Sequence, residues 1–186
     1  MIRKPDGYEQ APASGITDFE SVTPGGHICQ IRAAKEEERN GTRQLVIAFD
    51  LAADDAQAGY YGNLYAQRLH DNVDAKWPGV YRQSIDGKGT AFFKGLVTVI
   101  ERSNPGYTWA WDESTLKGKL FGGVFRREEY VGTDGKRHWI SRICAVRSVD
   151  CVLDVEAPAD KPLADAPAQP VYAPAAGSAQ PTDLPF

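Results

Sequence analysis

Three histidines (His27, His70, His138) and three cysteines (Cys29, Cys144, Cys151) are the side chains best suited to ligate a metal or attack a substrate, and their placement argues against both. The histidines fall in different segments, and no GxSxG, HExxH, Walker or Rossmann glycine pattern accompanies them. The cysteines are odd in number and lack CxxC spacing, which argues against a disulfide framework and a four-ligand zinc site. His27 and Cys29 would share one strand face, but no second ligand pair joins them, so no metal and no cofactor is expected. No carboxylate cluster assembles to hold Mg²⁺ either, and the chain reads as a non-enzyme.

The residues that do combine are cations and rings. Read by twos, the stretch LKGKLFGGVFRR puts Lys117, Lys119, Phe121, Phe125 and Arg127 on one strand face, against Leu116, Leu120 and Val124 on the other. Single-stranded nucleic acid is bound by such a mixture: cations track the phosphates, and unpaired bases stack on flat rings for about 1 to 3 kcal/mol each. The alternative, equally weighted on this strand alone, makes both phenylalanines core and leaves the lysines on a solvated edge. Arg39 and Arg43 flank a hairpin signal at Asn40-Gly41, and Lys136, Arg137 and Trp139 follow another at Gly132–Gly135. Arg142 and Arg147 add cations beyond it. Tyr60, Tyr61, Tyr65, Trp77 and Tyr81 are further stacking candidates, with about half of such rings expected in the core, whereas Trp109 and Trp111 are expected to be structural.

Positioning these side chains requires a mainly β body. Residues 1–22 are polar, without a clear period, and read as a loose arm that docks through Phe19 and Val22. From Gly26, Cys29, Ile31 and Ala33 alternate with Ile28, Gln30 and Arg32 as in a half-buried strand. A second strand puts Leu45, Ile47, Phe49 and Leu51 on one face; a long aromatic connection follows, then a short strand over 80–85. Residues 90–102 switch to helical period, gathering Phe92, Phe93, Leu96, Val97, Val99 and Ile100 on one side, and stop at Asn104-Pro105-Gly106. Two long strands over 116–131 and 136–152 complete the body, with Gly122-Gly123 marking a bulge or bend. This order, three strands, a helix and two strands, is that of an OB-fold: a five-stranded Greek-key barrel that binds through strands 2 and 3 and the 1-2 and 4-5 loops. Other small α+β meanders share the same order.

At 186 residues the chain suits one domain with appendages: an arm over 1–22, a body over 23–153, a linker over 154–181 and a tip over 182–186. The linker is rich in Ala and Pro, too poor in apolar side chains to offset the entropy of ordering, and is expected to be disordered. The formal net charge of −4 belongs to this region: from Asp154 onward there are five acids against one base, which leaves the body neutral. Within the body, residues 116–151 carry eight bases against four acids, a basic patch ahead of an acidic tail. No apolar run approaches the roughly 18 residues of a membrane span, and MIRKPDGYEQ lacks the apolar core of a secretory signal, so a cytoplasmic protein is expected.

The ending PTDLPF sharpens the reading. Asp183, Leu184, Pro185 and Phe186 resemble, residue by residue, the tip of bacterial and phage single-stranded DNA-binding proteins, although that family's acidic cluster is denser. Over roughly residues 22–152, the segments TPGGHICQI, KWPGVY, FFKGLVTVIE, SNPGYTW and LKGKLFGGVF look like a family encoded in phage and prophage replication modules, often considered single-stranded DNA-binding or replication-accessory proteins. The resemblance implies non-specific binding of single-stranded DNA in the cytoplasm of a bacterial host, and recruitment of replication or recombination proteins through the tip. A replication or recombination adaptor that binds mainly proteins is the alternative. Self-association is compatible with the sequence but not specified by it.

Overall fold

In the computed structural model, which describes residues 21–164, five strands form one open antiparallel sheet with three helices. The elements are β1 (Gly25–Arg39), β2 (Thr42–Leu51), α1 (Tyr60–Asp71), β3 (Val80–Ser84), α2 (Thr90–Ser103), β4 (Leu120–Val131), β5 (Arg137–Arg147) and the single turn α3 (Val149–Val152). The sheet order is β3-β2-β1-β4-β5, so β3 and β5 are its two edges. Phe19 lies outside the described residues, as do most of the linker and the whole of the tip, but Val22 is buried as expected of a docking residue.

Alternation sets the buried face. His27, Cys29 and Ile31 of β1, Leu45, Ile47, Phe49 and Leu51 of β2, and Phe121 and Phe125 of β4 all point to one side. There α2 lays Phe93, Leu96 and Ile100 over them, its apolar stripe recurring at the three- and four-residue spacing of a helix face. A β-bulge between Ile31 and Ala33 inserts one residue into β1 and reverses its parity, so Ala34, opposite Ile47, packs on the core in place of the expected Ala33. The Asn40-Gly41 hairpin forms as read, with φ of 52° and 71° that suit a two-residue primed turn.

The aromatic connection after β2 contains a helix that the pattern does not announce. Its N-cap position is Gly59, which has no side chain to cap with. The cap comes instead from Asp50 in β2, 1% exposed, whose carboxylate accepts from the amides of Leu51, Tyr61 and Gly62 and pairs with Arg32 at 3.3 Å. A carboxylate at the amide-rich end of a helix satisfies orphan donors and the helix dipole together. At the other end of the body, Asn104 ties the C-terminus of α2 to β4, donating to Ile100 O and Leu120 O and accepting from Leu120 N.

Two further boundaries differ from expectation. Residues 113–116 form a 3-10 turn, so β4 begins at Leu120, and β5 ends at Arg147 because α3 folds back onto the outer face of β1 and β4. The bulge near the Gly122-Gly123 pair lies between Val124 and Phe125 in the β4–β5 ladder, with Cys144 as the extra residue of β5. The glycines serve close approach: a Cβ on Gly26 would lie 1.7 Å from Val152 O, and one on Gly122 would lie 2.5 Å from Val152 Cβ. Gly26→Ala is therefore expected to lower unfolding stability by about 3 kcal/mol through overpacking. Gly95→Ala, in open space on α2, should raise it by roughly 0.8 kcal/mol. Guanidinium melts of the two variants check both.

Candidate nucleic-acid interface

The sheet is built with two projecting hairpin arms. β1 pairs with β4 only over Gly25–Gln30 and Leu120–Phe125, whereas it pairs with β2 out to Arg39. The β1–β2 hairpin therefore runs past the start of β4, and the β4–β5 hairpin runs past the start of β1. Because β1 and β4 are antiparallel, the two arms leave opposite ends of their shared ladder.

On the β4–β5 arm the register aligns Arg127 with Ser141, Glu129 with Trp139 and Val131 with Arg137 on the face continuous with the core. There the Arg127 guanidinium sits 5.4 Å from the centre of the Trp139 ring, which is 45% exposed, and Arg137 pairs with Glu129 at 3.3 Å. Lys136 is exposed at the turn. Arg142 lies opposite Arg126 and so on the other face, with Ile140, Tyr130 and His138. Tyr130 and His138 pack at 5.7 Å, and His138 reaches Asp134 at 3.0 Å. The backbone amide of Lys136 and the His138 ring hold the Asp134 carboxyl below the usual aspartate range.

The remaining expected binding residues separate into groups. Phe121 and Phe125 share one face as read, but that face is the core; both are fully buried and present no ring to a base. Trp77 donates from Nε1 to Phe49 O and packs on Tyr65, Tyr60 packs on Tyr61, and Tyr81 faces the core opposite Ile47. Burial pushes the phenols of Tyr60 and Tyr81 upward. Arg39 is exposed on the β1–β2 arm, whereas Arg43 is gripped by Asp86 through two nitrogens and by Glu36. That grip holds the Asp86 carboxyl below its ordinary value. Lys117 is exposed ahead of β4, and Lys119 lies 4.3 Å over the ring of Tyr107. The tip residues Asp183, Leu184, Pro185 and Phe186 lie outside the described residues.

Two exposed rings differ from the pattern, which makes Trp111 structural and puts Phe92 on the apolar side of α2. Trp111, assigned to structure, is 76% exposed, and Phe92 on α2 is 72% exposed. Phe92 borders a cleft of about 450 Å³ between β3, α2 and β5, lined also by Val99, Arg102, Cys144 and Arg147. The signal available for Phe92 was the helical period itself: Phe93, Leu96 and Ile100 already fill the buried stripe, leaving Phe92 off it.

His27 is engaged rather than free, with Nδ1 3.0 Å from Asp55 Oδ1 and Nε2 2.9 Å from Thr23 O. Burial raises the Cys29 thiol far above its ordinary value. Among the described residues, no group of three or more His, Cys, Asp or Glu is arranged to hold a metal ion. None of their helices is long and apolar enough to cross a membrane. No family model matches the chain, and no curated protein matches its sequence.

The first part of the expected tether is docked on the arm. Lys161 bridges to β4, donating its amide to Arg127 O and accepting from Glu129 N, while Leu163 N donates to the Glu129 carboxylate. Asp160 makes a two-pronged ion pair with Arg127 that holds its carboxyl below the usual aspartate range. A lowered carboxyl stabilises docking above its ordinary value and loses that contribution as pH falls through the lowered one. Hydrogen-exchange protection of the Glu129 and Lys161 amides should therefore be full near neutrality. It should fall both in Asp160→Asn and on acidification below the ordinary aspartate range.

Proposed function

We propose that the protein binds single-stranded DNA without catalysis in phage or prophage replication or recombination, in the cytoplasm of a bacterial host. The observation that carries the reading is the Arg127–Trp139 pair, a cation beside an exposed ring on an arm that also bears Lys136, Arg137 and Arg142. Stacking on Trp139 and phosphate contacts from the arm bind any sequence, since every base has a face to stack on. The strand order supports an OB-type body: bringing edge β3 onto edge β5 would close a five-stranded barrel with α2 at the seam. The segment 183–186 recruits replication or recombination proteins, and tethering by the linker raises its effective concentration near bound DNA.

A second reading, an adaptor that binds mainly proteins, is favoured by the internal neutralisation of the patch. Arg43, Arg126, Arg127 and Arg137 each pair with a carboxylate of this chain. Titration of labelled oligo-dT at several salt concentrations separates the two. Single-stranded DNA binding predicts affinity that falls steeply with salt through counterion release. Trp139→Ala should weaken it by about tenfold, and Arg127→Ala should make the salt dependence shallower by roughly one counterion. Absence of binding at low salt would leave the adaptor. Removing Leu184, Pro185 and Phe186 should abolish capture of replication proteins while oligo-dT binding persists.

A further inference from the structure

The loop between α2 and β4 carries the most exposed tryptophan described in this chain in a conformation that bulky residues avoid. Trp111 has a φ of 64°, where Cβ crowds the backbone, and it is 76% exposed. Burial does not compensate the strain, so this position differs from an ordinary core tryptophan. Its neighbours hold it in place. Trp109 packs against it at 5.2 Å with planes 33° apart, and Phe93 supports both rings from the core. Trp109 donates from its main chain to the Glu101 carboxylate and from Nε1 to Asp112 O. The Asp112 carboxylate accepts from Ser114 N, and Thr115 Oγ1 donates to Asp112 O and meets the Tyr107 hydroxyl at 2.8 Å.

We propose that this loop is a second stacking platform for a nucleobase, with Trp111 as the ring and Lys117 and Lys119 as the adjoining phosphate contacts. The proposal rests on the single-stranded DNA reading and extends it to the end of the β1–β4 ladder away from Trp139. Phe121 and Phe125 are buried, so the exposed Lys117 and the half-buried Lys119 ahead of β4 need rings from elsewhere if bases are to stack beside them. The loop supplies them: Lys119 already lies over Tyr107, which is tied through Thr115 and Asp112 to Trp109 and Trp111. A nucleobase suits the platform better than a strongly charged partner, because Asp112 and Glu113 balance Lys117 and Lys119 and leave loop 107–119 neutral. The contact is then one of planar stacking, preorganised by the scaffold rather than drawn in by net charge.

The test compares the full chain with Trp111→Gly and Trp111→Phe on oligo-dT and on an abasic oligomer of equal length. Glycine adopts a φ of 64° without strain, and this relief offsets the lost contacts with Trp109 and Phe93. Trp111→Gly should therefore still unfold cooperatively within a few degrees of the wild type, which separates lost binding from lost folding. Its affinity for oligo-dT should fall about tenfold with the salt slope unchanged, and its preference for oligo-dT over the abasic oligomer should shrink by the same factor. Trp111→Phe should keep most of the affinity and lose part of the fluorescence quench on binding. Wild-type affinity in Trp111→Gly, alongside normal binding by the parent chain, would overturn the platform and leave the DNA reading standing. Failure of the parent chain to bind oligo-dT at low salt would overturn both. A salt slope that changes with the ring would assign the contact to charge and overturn stacking.

Discussion

β1 is hydrogen-bonded to β4 over Gly25–Gln30 and to β2 over Cys29–Arg39, and this offset between its two ladders shapes the molecule. A strand paired on both sides must present a buried face that suits both neighbours. His27, Cys29 and Ile31 do so, and the bulge beyond Ile31 re-aims the strand where β4 is no longer beside it. The unequal ladders oblige each hairpin to overrun its neighbour, which produces two arms rather than a flat sheet with ragged edges. The Gly26 and Gly122 positions belong to the same constraint, because α3 approaches the backbone where β1 and β4 pair.

The arms are half-exposed by construction, and their electrostatics follow. Each carries arginines whose charges are met by carboxylates from the same arm or from the chain running past it: Glu36 and Asp86 for Arg43, Glu128 for Arg126, Glu129 for Arg137, Asp160 for Arg127. Of these, the exposed Arg43–Asp86 pair contributes little to stability, whereas Arg126–Glu128 is part-buried and Glu129 largely so. Residues 160–163 lie along the side of β4 that β1 leaves unpaired beyond Phe125, where they cover backbone groups that an uncovered strand would offer to other chains.

Period and turn chemistry made most of the sheet legible. The buried face of β2, the Asn40-Gly41 turn, the extent of α2 and the hairpin after Val131 all follow from local residue choice. The helix α1 was not legible, because its capping carboxylate, Asp50, lies on β2 and its own N-cap is a glycine. At the candidate site the cations were legible as exposed, since lysine and arginine seldom bury their charge. The rings were not: Phe121 and Trp139 are both aromatic residues on strands, and only the layer stacked above each separates core from surface.

The sequence by itself determined a mainly β body, the polarity of charge between body and tail, and which face of β2 is buried. Each follows from composition or from a period that neighbouring residues share. Tertiary structure decided where the ladders end, that Phe121 and Phe125 belong to the core, that Trp111 stands in water on a strained backbone, and which carboxylate meets each arginine. These depend on contacts between residues far apart in the chain, such as Asp160 with Arg127 or Asp50 with the amides of α1. Local pattern carries no information about such contacts because neither partner's neighbours reveal the other.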